Sequence, residues 1–400
     1  MIKSIGGGVT APIGFRTAGV RCGIKKSGLD LALIVSDTPA NAAAVFTTNR
    51  AVAAPVIVSK DHLSRSEGLV KAIVVNSGCA NACTGELGIV VASEMAAATA
   101  RAVSCPAEQV LVASTGVIGL PLDLDRIVIG VDQAWRALDR ESHRAAAEAI
   151  MTTDRGPKEA AVRVSTPDGT FVVGGMVKGA GMIEPQMATM LGFLTTDAEI
   201  PVSRLRKALV AANEDTFNAI TVDGESSTND TVFALANGAS GVTIDDTLYS
   251  SFVTALRDVS QTLAQEVVRG AEGATKLVTV HVTGARSYDD AKRTARAIAN
   301  SPLVKTAIHG GDPNWGRLIA VAGRAGVSFD LARARVKIGE VVLFADETIH
   351  AEREPAAAEH LRGRKVEVTV DLGTGGDHDA TMWTCDFSAE YVHINADYRT

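Results

Sequence analysis

The sequence predicts an α/β (α+β) protein built on large mixed or antiparallel sheets. Strand-like and helix-like segments alternate along the whole chain, hairpin turns outnumber clear strand–helix–strand crossovers, and no repeat, low-complexity linker or coiled-coil pattern interrupts them. Composition agrees. Of 400 residues, 46% are hydrophobic but only 4% are aromatic, so the core is expected to be closely packed Ala, Val, Ile and Leu rather than rings. The length suits two or three domain-sized units.

The elements follow in order. "LDLALIVSD" and "AAAVFTTN" read as two strands and "LVKAIVVNSG" as a third, ending in the turn-rich "NSGCANACTG". "ELGIVVASEMAAATARAV" is Ala-rich, with no Gly or Pro after position 88, and predicts a helix. "EQVLVASTG" is a strand entering a Gly turn. "LDRIVIGVDQAWRALD" and "SHRAAAEAIMTTD" read as helices, and "AAVRVSTPDGTFVVGGMV" as a hairpin around Pro-Asp-Gly. Further on, "VSRLRKALVAANEDTFNAI", "DTLYSSFVTALRDVSQTLAQEVVRGA" and "SYDDAKRTARAIANS" are helical, and "KLVTVHVTGA" is a strand. From about residue 325 the chain is strand-rich, with "ARVKIGEVVLF", "KVEVTVDL", "ATMWTCDFS" and "YVHIN" all read as strands.

Several functions are disfavoured at this level. The net charge of -7, without a run of Lys or Arg, argues against a nucleic-acid or anionic-membrane partner. The first residues lack the apolar core of a signal peptide, and no uncharged apolar stretch reaches the roughly 20 residues of a membrane span. Five scattered cysteines, 22, 79, 83, 105 and 385, suit a reducing cytoplasm; Cys79 and Cys83 are expected to be buried thiols rather than zinc ligands. "GAEGATK" lacks the adjacent Gly-Lys-Ser/Thr of a phosphate loop, and "DGESSTND" has Ala234 where a calcium loop needs Glu. Asp377, His378 and Asp379 are expected to form a solvated turn rather than a metal site. No G-x-S-x-G occurs, and His309, within "IHGGDPNWGR", is expected to be a buried structural histidine.

A threonine can act without a histidine. If the Ala188-Thr189 bond within "PQMATM" were cut, the new α-amine, of pKa about 8 in a free chain, could take the hydroxyl proton. The residues alone leave Thr189 open as helix cap, core hydroxyl or nucleophile.

Residues 178–191, "KGAGMIEPQMATML", fit the pattern K-G-x-G-M-I-x-P-x-M-A-T-M-L, and the chain resembles the glutamate/ornithine N-acetyltransferase (ornithine acetyltransferase) family of arginine biosynthesis. "APIGFRTAGVRCGIKKSGLDLALI", "NSGCANACTG", "VASTGVIG", "AIMTTD", "ITVDGESSTND", "GAEGATKLV", "SPLVKTAIHGGDPNWGR" and "YVHINADYRT" follow in family order, so the resemblance runs end to end. It implies a layered sheet–helix sandwich of the ornithine acetyltransferase/DmpA-like type, with the smaller strand-rich region at the C-terminal end. It also implies self-cleavage between Ala188 and Thr189 into an alpha chain (1–188) and a beta chain (189–400). Thr189 would then carry the acetyl group in a ping-pong transfer from N-acetylornithine to glutamate.

By the same resemblance Thr115 and Gly116 form the oxyanion hole. Thr152, Lys178, Thr189, Glu272, Asn395 and Thr400 bind substrate, with Thr153 the alternative to Thr152. Lys178 suits an α-carboxylate, or lowers the pKa of the new Thr189 amine, and Glu272 suits an ornithine ammonium. No cofactor is implied, acetyl-CoA is expected as an additional donor, and the assembly is expected to be a cytoplasmic heterotetramer of two alpha and two beta chains. Cys79 stands where relatives commonly carry Asn. The rival readings are a self-processed amidase or aminopeptidase, in which water resolves the acyl-enzyme, and an uncleaved amino-acid-binding protein.

Overall fold

The computed structural model describes residues 1–184 and 190–397, and its chain divides into two compact units. The first comprises residues 1–218 and 226–267; the second comprises 219–225 and 268–400.

Among the described residues of the first unit, nine strands form one mixed sheet. They are β1 (Ile2–Ile5), β2 (Phe15–Val20), β3 (Leu31–Phe46), β4 (Leu69–Cys79), β5 (Val110–Val117), β6 (Lys158–Thr166), β7 (Gly169–Lys178), β8 (Leu191–Thr196) and β9 (Thr231–Ala236). The order is β1-β6-β7-β8-β9-β3-β4-β5, with β2 paired to the first half of β3. Most neighbours are antiparallel; β4–β5 and β8–β9 are parallel, each joined through a helix. Those helices are α2 (Gly85–Val103) and α5 (Val202–Glu214), and the unit also contains α1 (Ala54–Arg65), α3 (Leu124–Arg136), α4 (His143–Ala149) and most of α6 (Tyr249–Arg269).

Two apolar clusters hold this unit. In one, α2 lays Val91, Ala92, Met95 and Ala96 against Leu33, Val74 and Val112 of the sheet; the alanines let helix and sheet approach closely, as the composition implied. The other joins Ile34, Ile73, Leu111, Met176, Phe193 and Phe233.

The second unit carries a six-stranded sheet in the order β13-β12-β11-β14-β10-β15. Its strands are β10 (Leu277–Ala285), β11 (Arg335–Ile338), β12 (Val341–Ala345), β13 (Thr348–Ile349), β14 (Lys365–Asp371) and β15 (His378–Cys385). Its helices are α7 (Tyr288–Ala299), α8 (Pro302–Gly310), α9 (Trp315–Gly323), α10 (Glu354–Leu361) and α11 (Ala389–Ala396). Val280, Val282, Ile298, Val336, Val368 and Met382 are among its core residues.

Three local expectations are corrected. The two strands expected over 29–49 are one strand, β3; its register against β4 shifts between Val35 and Ala40, and exposed Asp37, Thr38 and Pro39 sit in that irregularity, where a proline removes no needed ladder bond. The helix expected over 142–154 ends at Ala149, because the Thr152 N–H bonds the Asp154 carboxylate instead of a helical carbonyl. "YVHIN" is helical, within α11, not a strand. Five alternating residues fit either period, and the helix-formers Ala389 and Glu390 behind Ser388 start a turn.

Candidate active site

In the first unit the site grows from the ends of β4, β5 and β7. At Gly78 and Cys79 the β4–β5 register slips, so that Cys79 faces both Thr115 and Val117. Gly116 has φ +130°, and a Cβ there would lie 2.3 Å from the Gly78 carbonyl carbon, so only glycine allows the two backbones to meet. Buried side chains lock this crossing. Ser114 Oγ donates to Asn76 Oδ1 at 2.6 Å, Asn76 Nδ2 donates to the Cys79 carbonyl at 2.9 Å, and Asn229 Nδ2 reaches the Ala80 and Ser114 carbonyls at 2.6 and 2.9 Å. A half-buried Thr115 is thereby fixed at the strand end.

Lys178, the last residue of β7, is buried and donates to Thr115 Oγ1 at 3.2 Å. An ammonium on that oxygen polarises the hydroxyl and favours donation of its proton to a developing negative charge. Beneath Lys178 lies Asp154, whose side chain is wholly enclosed. Its Oδ1 accepts from Lys158 Nζ and, at 2.8 Å, from the Gly179 N–H; its Oδ2 accepts from the Thr152 N–H at 3.0 Å. Burial alone would raise this carboxyl, but Lys178, Lys158 and the Gly179 N–H outweigh it and hold it down to about 2. Asp230 shows the opposite balance. Burial pushes it well above the ordinary range, against the Ser227 hydrogen bonds and the charge of Lys178. Lys25 donates to the Met151 carbonyl at 3.0 Å; burial lowers its pKa against the pull of Asp30 and Asp154, and Lys178 lowers it further.

Thr115, Gly116, Thr152 and Lys178 thus gather in one unit. Thr152 and Thr153 are both half-buried; the Thr152 backbone is the one held by Asp154. Ala188, Thr189 and Thr400 lie outside the described residues.

In the second unit, Glu272 is buried and its Oε2 accepts from Asn395 Nδ2 at 2.8 Å, so these two expected substrate groups pair directly. Gly273, with φ +68°, would place a Cβ 2.5 Å from the Tyr391 nitrogen, which sets the close approach of the Glu272 loop to α11. Tyr391 donates to Asp223 Oδ2 at 3.1 Å, and burial first, then Asp223 and Glu272, push its phenol up.

Other residues fall differently from expectation. His309 is not buried: its side chain is 40% exposed and its Nδ1 lies 2.7 Å from the enclosed Asp386 carboxylate. Burial would raise Asp386, yet Thr275, His309 and the Lys276 N–H hold it low. Cys83 is exposed, whereas Cys79 is buried as expected. Asp377, His378 and Asp379 are exposed at the start of β15. Sequence reading missed Asp154, although it closes the quoted block "AIMTTD"; the available signal was a lysine four residues on, at Lys158.

A family model described as the ArgJ family matches residues 16–400. The chain belongs to this family. A relative from Symbiobacterium thermophilum, described as arginine biosynthesis bifunctional protein ArgJ, is 47% identical over 402 residues, covering 99% of each chain. Another ArgJ, from Dehalococcoides mccartyi, is 48% identical and covers 98% of each. Among solved structures, a chain of ornithine acetyltransferase from Mycobacterium tuberculosis, complexed with ornithine, is 43% identical, covers 47% of this chain and 100% of its own, and has a TM-score of 0.44. Within this chain, Lys178 at the end of β7 meets Thr115 of β5, with Gly116 next to it.

Proposed function

We propose that this protein is a self-processing N-acetyltransferase of arginine biosynthesis, which moves an acetyl group from N-acetylornithine to glutamate through an acetyl-Thr189 intermediate. Membership of the ArgJ family supports the activity. The observation that carries the site is the buried Lys178 ammonium on the Thr115 hydroxyl, beside a Gly116 that no other residue could replace.

In the first half-reaction the Thr189 hydroxyl attacks the acetyl carbonyl and its proton passes to the Thr189 α-amine. The tetrahedral oxyanion is met by the polarised Thr115 hydroxyl and the Gly116 backbone, the C–N bond breaks, and ornithine leaves with the proton. In the second, the glutamate amine attacks acetyl-Thr189, loses a proton to the same base, and releases the threonine. Lys178 is assigned the substrate α-carboxylate and Thr152 a substrate contact in the first unit; in the second, Glu272, bonded by Asn395, is assigned the ornithine ammonium, and Thr400 is assigned to substrate binding by the resemblance alone. The chemistry asks for no cofactor, and acetyl-CoA enters as a second donor. Two alpha chains (1–188) and two beta chains (189–400) form the assembly, in the cytoplasm. Among the described residues no helix is long and apolar enough to cross a membrane.

Supplying N-acetylornithine with and without glutamate tests the reaction. Ornithine release should become sustained only with glutamate, and N-acetylglutamate should accumulate in step. Acetate release independent of glutamate would instead establish the amidase reading. Intact-mass measurement should find fragments split at 188/189, and Thr189→Ala should abolish both cleavage and transfer; an active Thr189→Ala enzyme would refute the mechanism.

A further inference from the structure

We propose that Asp154 is a positioning residue for the amino-acid substrate: its buried carboxylate clamps the Thr152 loop to the end of β7 and holds Lys178 in place as partner of the substrate α-carboxylate. The inference rests on the substrate-binding reading of Lys178 and Thr152.

Two observations distinguish Asp154 from a framework ion pair. Lys158 alone would compensate its charge, yet both carboxylate oxygens also take backbone N–H groups, from Thr152 at 3.0 Å and from Gly179 at 2.8 Å. One of these residues is itself assigned to the substrate, and the other follows Lys178 directly. A single enclosed carboxylate therefore ties together the loop after α4, the first residue of β6 and the point where the chain leaves β7.

The charges around Lys178 make Asp154 more than a tether. From the loop after β2 comes the like charge of Lys25; from the loop after α4, Asp154; from the segment before β9, Asp230; and from β5, the Thr115 hydroxyl. Burial raises Asp230, whereas Asp154 is held low, so Asp154 is the stronger countercharge of the two beside Lys178. Without it, Lys25, Lys158 and Lys178 face one another with less compensation, and their ammonium forms become harder to keep. The charged Lys178 would then persist at lower pH and be lost as pH rises through its depressed pKa.

The test is equilibrium titration of glutamate, and separately of ornithine, from about pH 7 to about pH 10. The proteins are the wild type, Asp154→Asn, the double variant Asp154→Asn/Lys158→Met, and Lys178→Met. Binding does not require turnover, so an effect on self-cleavage does not remove the readout. Wild-type affinity should follow only the titration of the ligand amines and of the Thr189 α-amine, the latter at about 8 in a free chain. Both Asp154 variants should bind about tenfold or more weakly at the lower pH, with a further loss as pH rises that the wild type lacks. A purely structural role would not create that new pH dependence. Affinity within about twofold of wild type throughout would overturn the proposal. The double variant removes the buried ion pair as a unit; if neither Asp154 variant melts cooperatively, the carboxylate serves the framework and the proposal also fails. Lys178→Met separates the two levels of argument. Wild-type affinity in that variant breaks the reading of Lys178 itself. Weak binding there, with Asp154→Asn unchanged, overturns only the role of Asp154.

Discussion

Thr115 carries two partners at once in the proposed chemistry: its oxygen accepts from Lys178 and its proton is offered to the oxyanion. Replacing it by valine keeps shape and β-propensity at a half-buried position while removing the donor. Thr115→Val should therefore melt close to wild type but lose about 10²–10³-fold in kcat, with a smaller change in KM. Steady-state rates with N-acetylornithine and glutamate check this, and wild-type kcat would remove Thr115 from the oxyanion hole. At this scale the sequence was legible where a residue's role follows from its type and motif. Lys178, Glu272 and Gly116 received their expected roles only through the resemblance of the blocks around them. Asp154 received none, because its importance lies in acceptors for Thr152 and Gly179, and Gly179 is distant in sequence. The half-exposed His309 was misjudged for the same reason: its partner, Asp386, comes 77 residues later, just after β15.

Elements with a clean apolar pattern were the readable ones. The helix α2, the hairpin β6–β7 and the amphipathic α7 fall where periodicity and turn residues place them. The helix α1 does not announce itself, because its buried face includes Ser59 and His62, which bond the Val112 and Val110 carbonyls of β5 at 2.7 Å each. Likewise β8 and β9 are buried on both faces, so "LGFLTT" and "TVFALA" lack the alternation that marks a half-buried strand. What fixes the site at this scale is the packing of α2 over β4 and β5. Met95 sits at its centre with no exposure. Met95→Ala should cost about 2–5 kcal/mol of stability. Because the same helix backs the strands whose last residues include Gly78 and Gly116, activity near the melting range should fall earlier than in wild type. Thermal melting followed alongside residual transfer activity measures both; a Tm shift without early loss of activity would uncouple α2 from the site.

The proposed cut at 188/189 does not follow the boundary between compact units. It falls inside the first unit, between two neighbouring strands of one sheet. Strands β1 to β7 lie on the alpha-chain side, while β8, β9, α5 and α6 lie on the beta-chain side. Two sheet junctions hold these pieces together: β7 pairs with β8 from Val173↔Thr196 to Lys178↔Leu191, and β3 pairs with β9 from Asn41↔Ala236 to Phe46↔Thr231. The shared core crosses the same divide, with Phe193 and Phe233 of the beta chain packed among Ile34, Ile73 and Met176 of the alpha chain. Neither fragment can leave without exposing that core and the edges of β3 and β7, which water and isolated chains tolerate poorly. Cleavage should therefore nick the fold without releasing either part. After processing, the two chains should elute together in native size exclusion even on strong dilution. They should separate only at denaturant concentrations that also unfold the first unit, as followed by far-ultraviolet circular dichroism. Refolding from separated chains should be slow and incomplete, because neither half contains the whole nine-stranded sheet. Dissociation in native buffer, with each fragment keeping its circular dichroism, would show that the two junctions are not what holds the processed enzyme together.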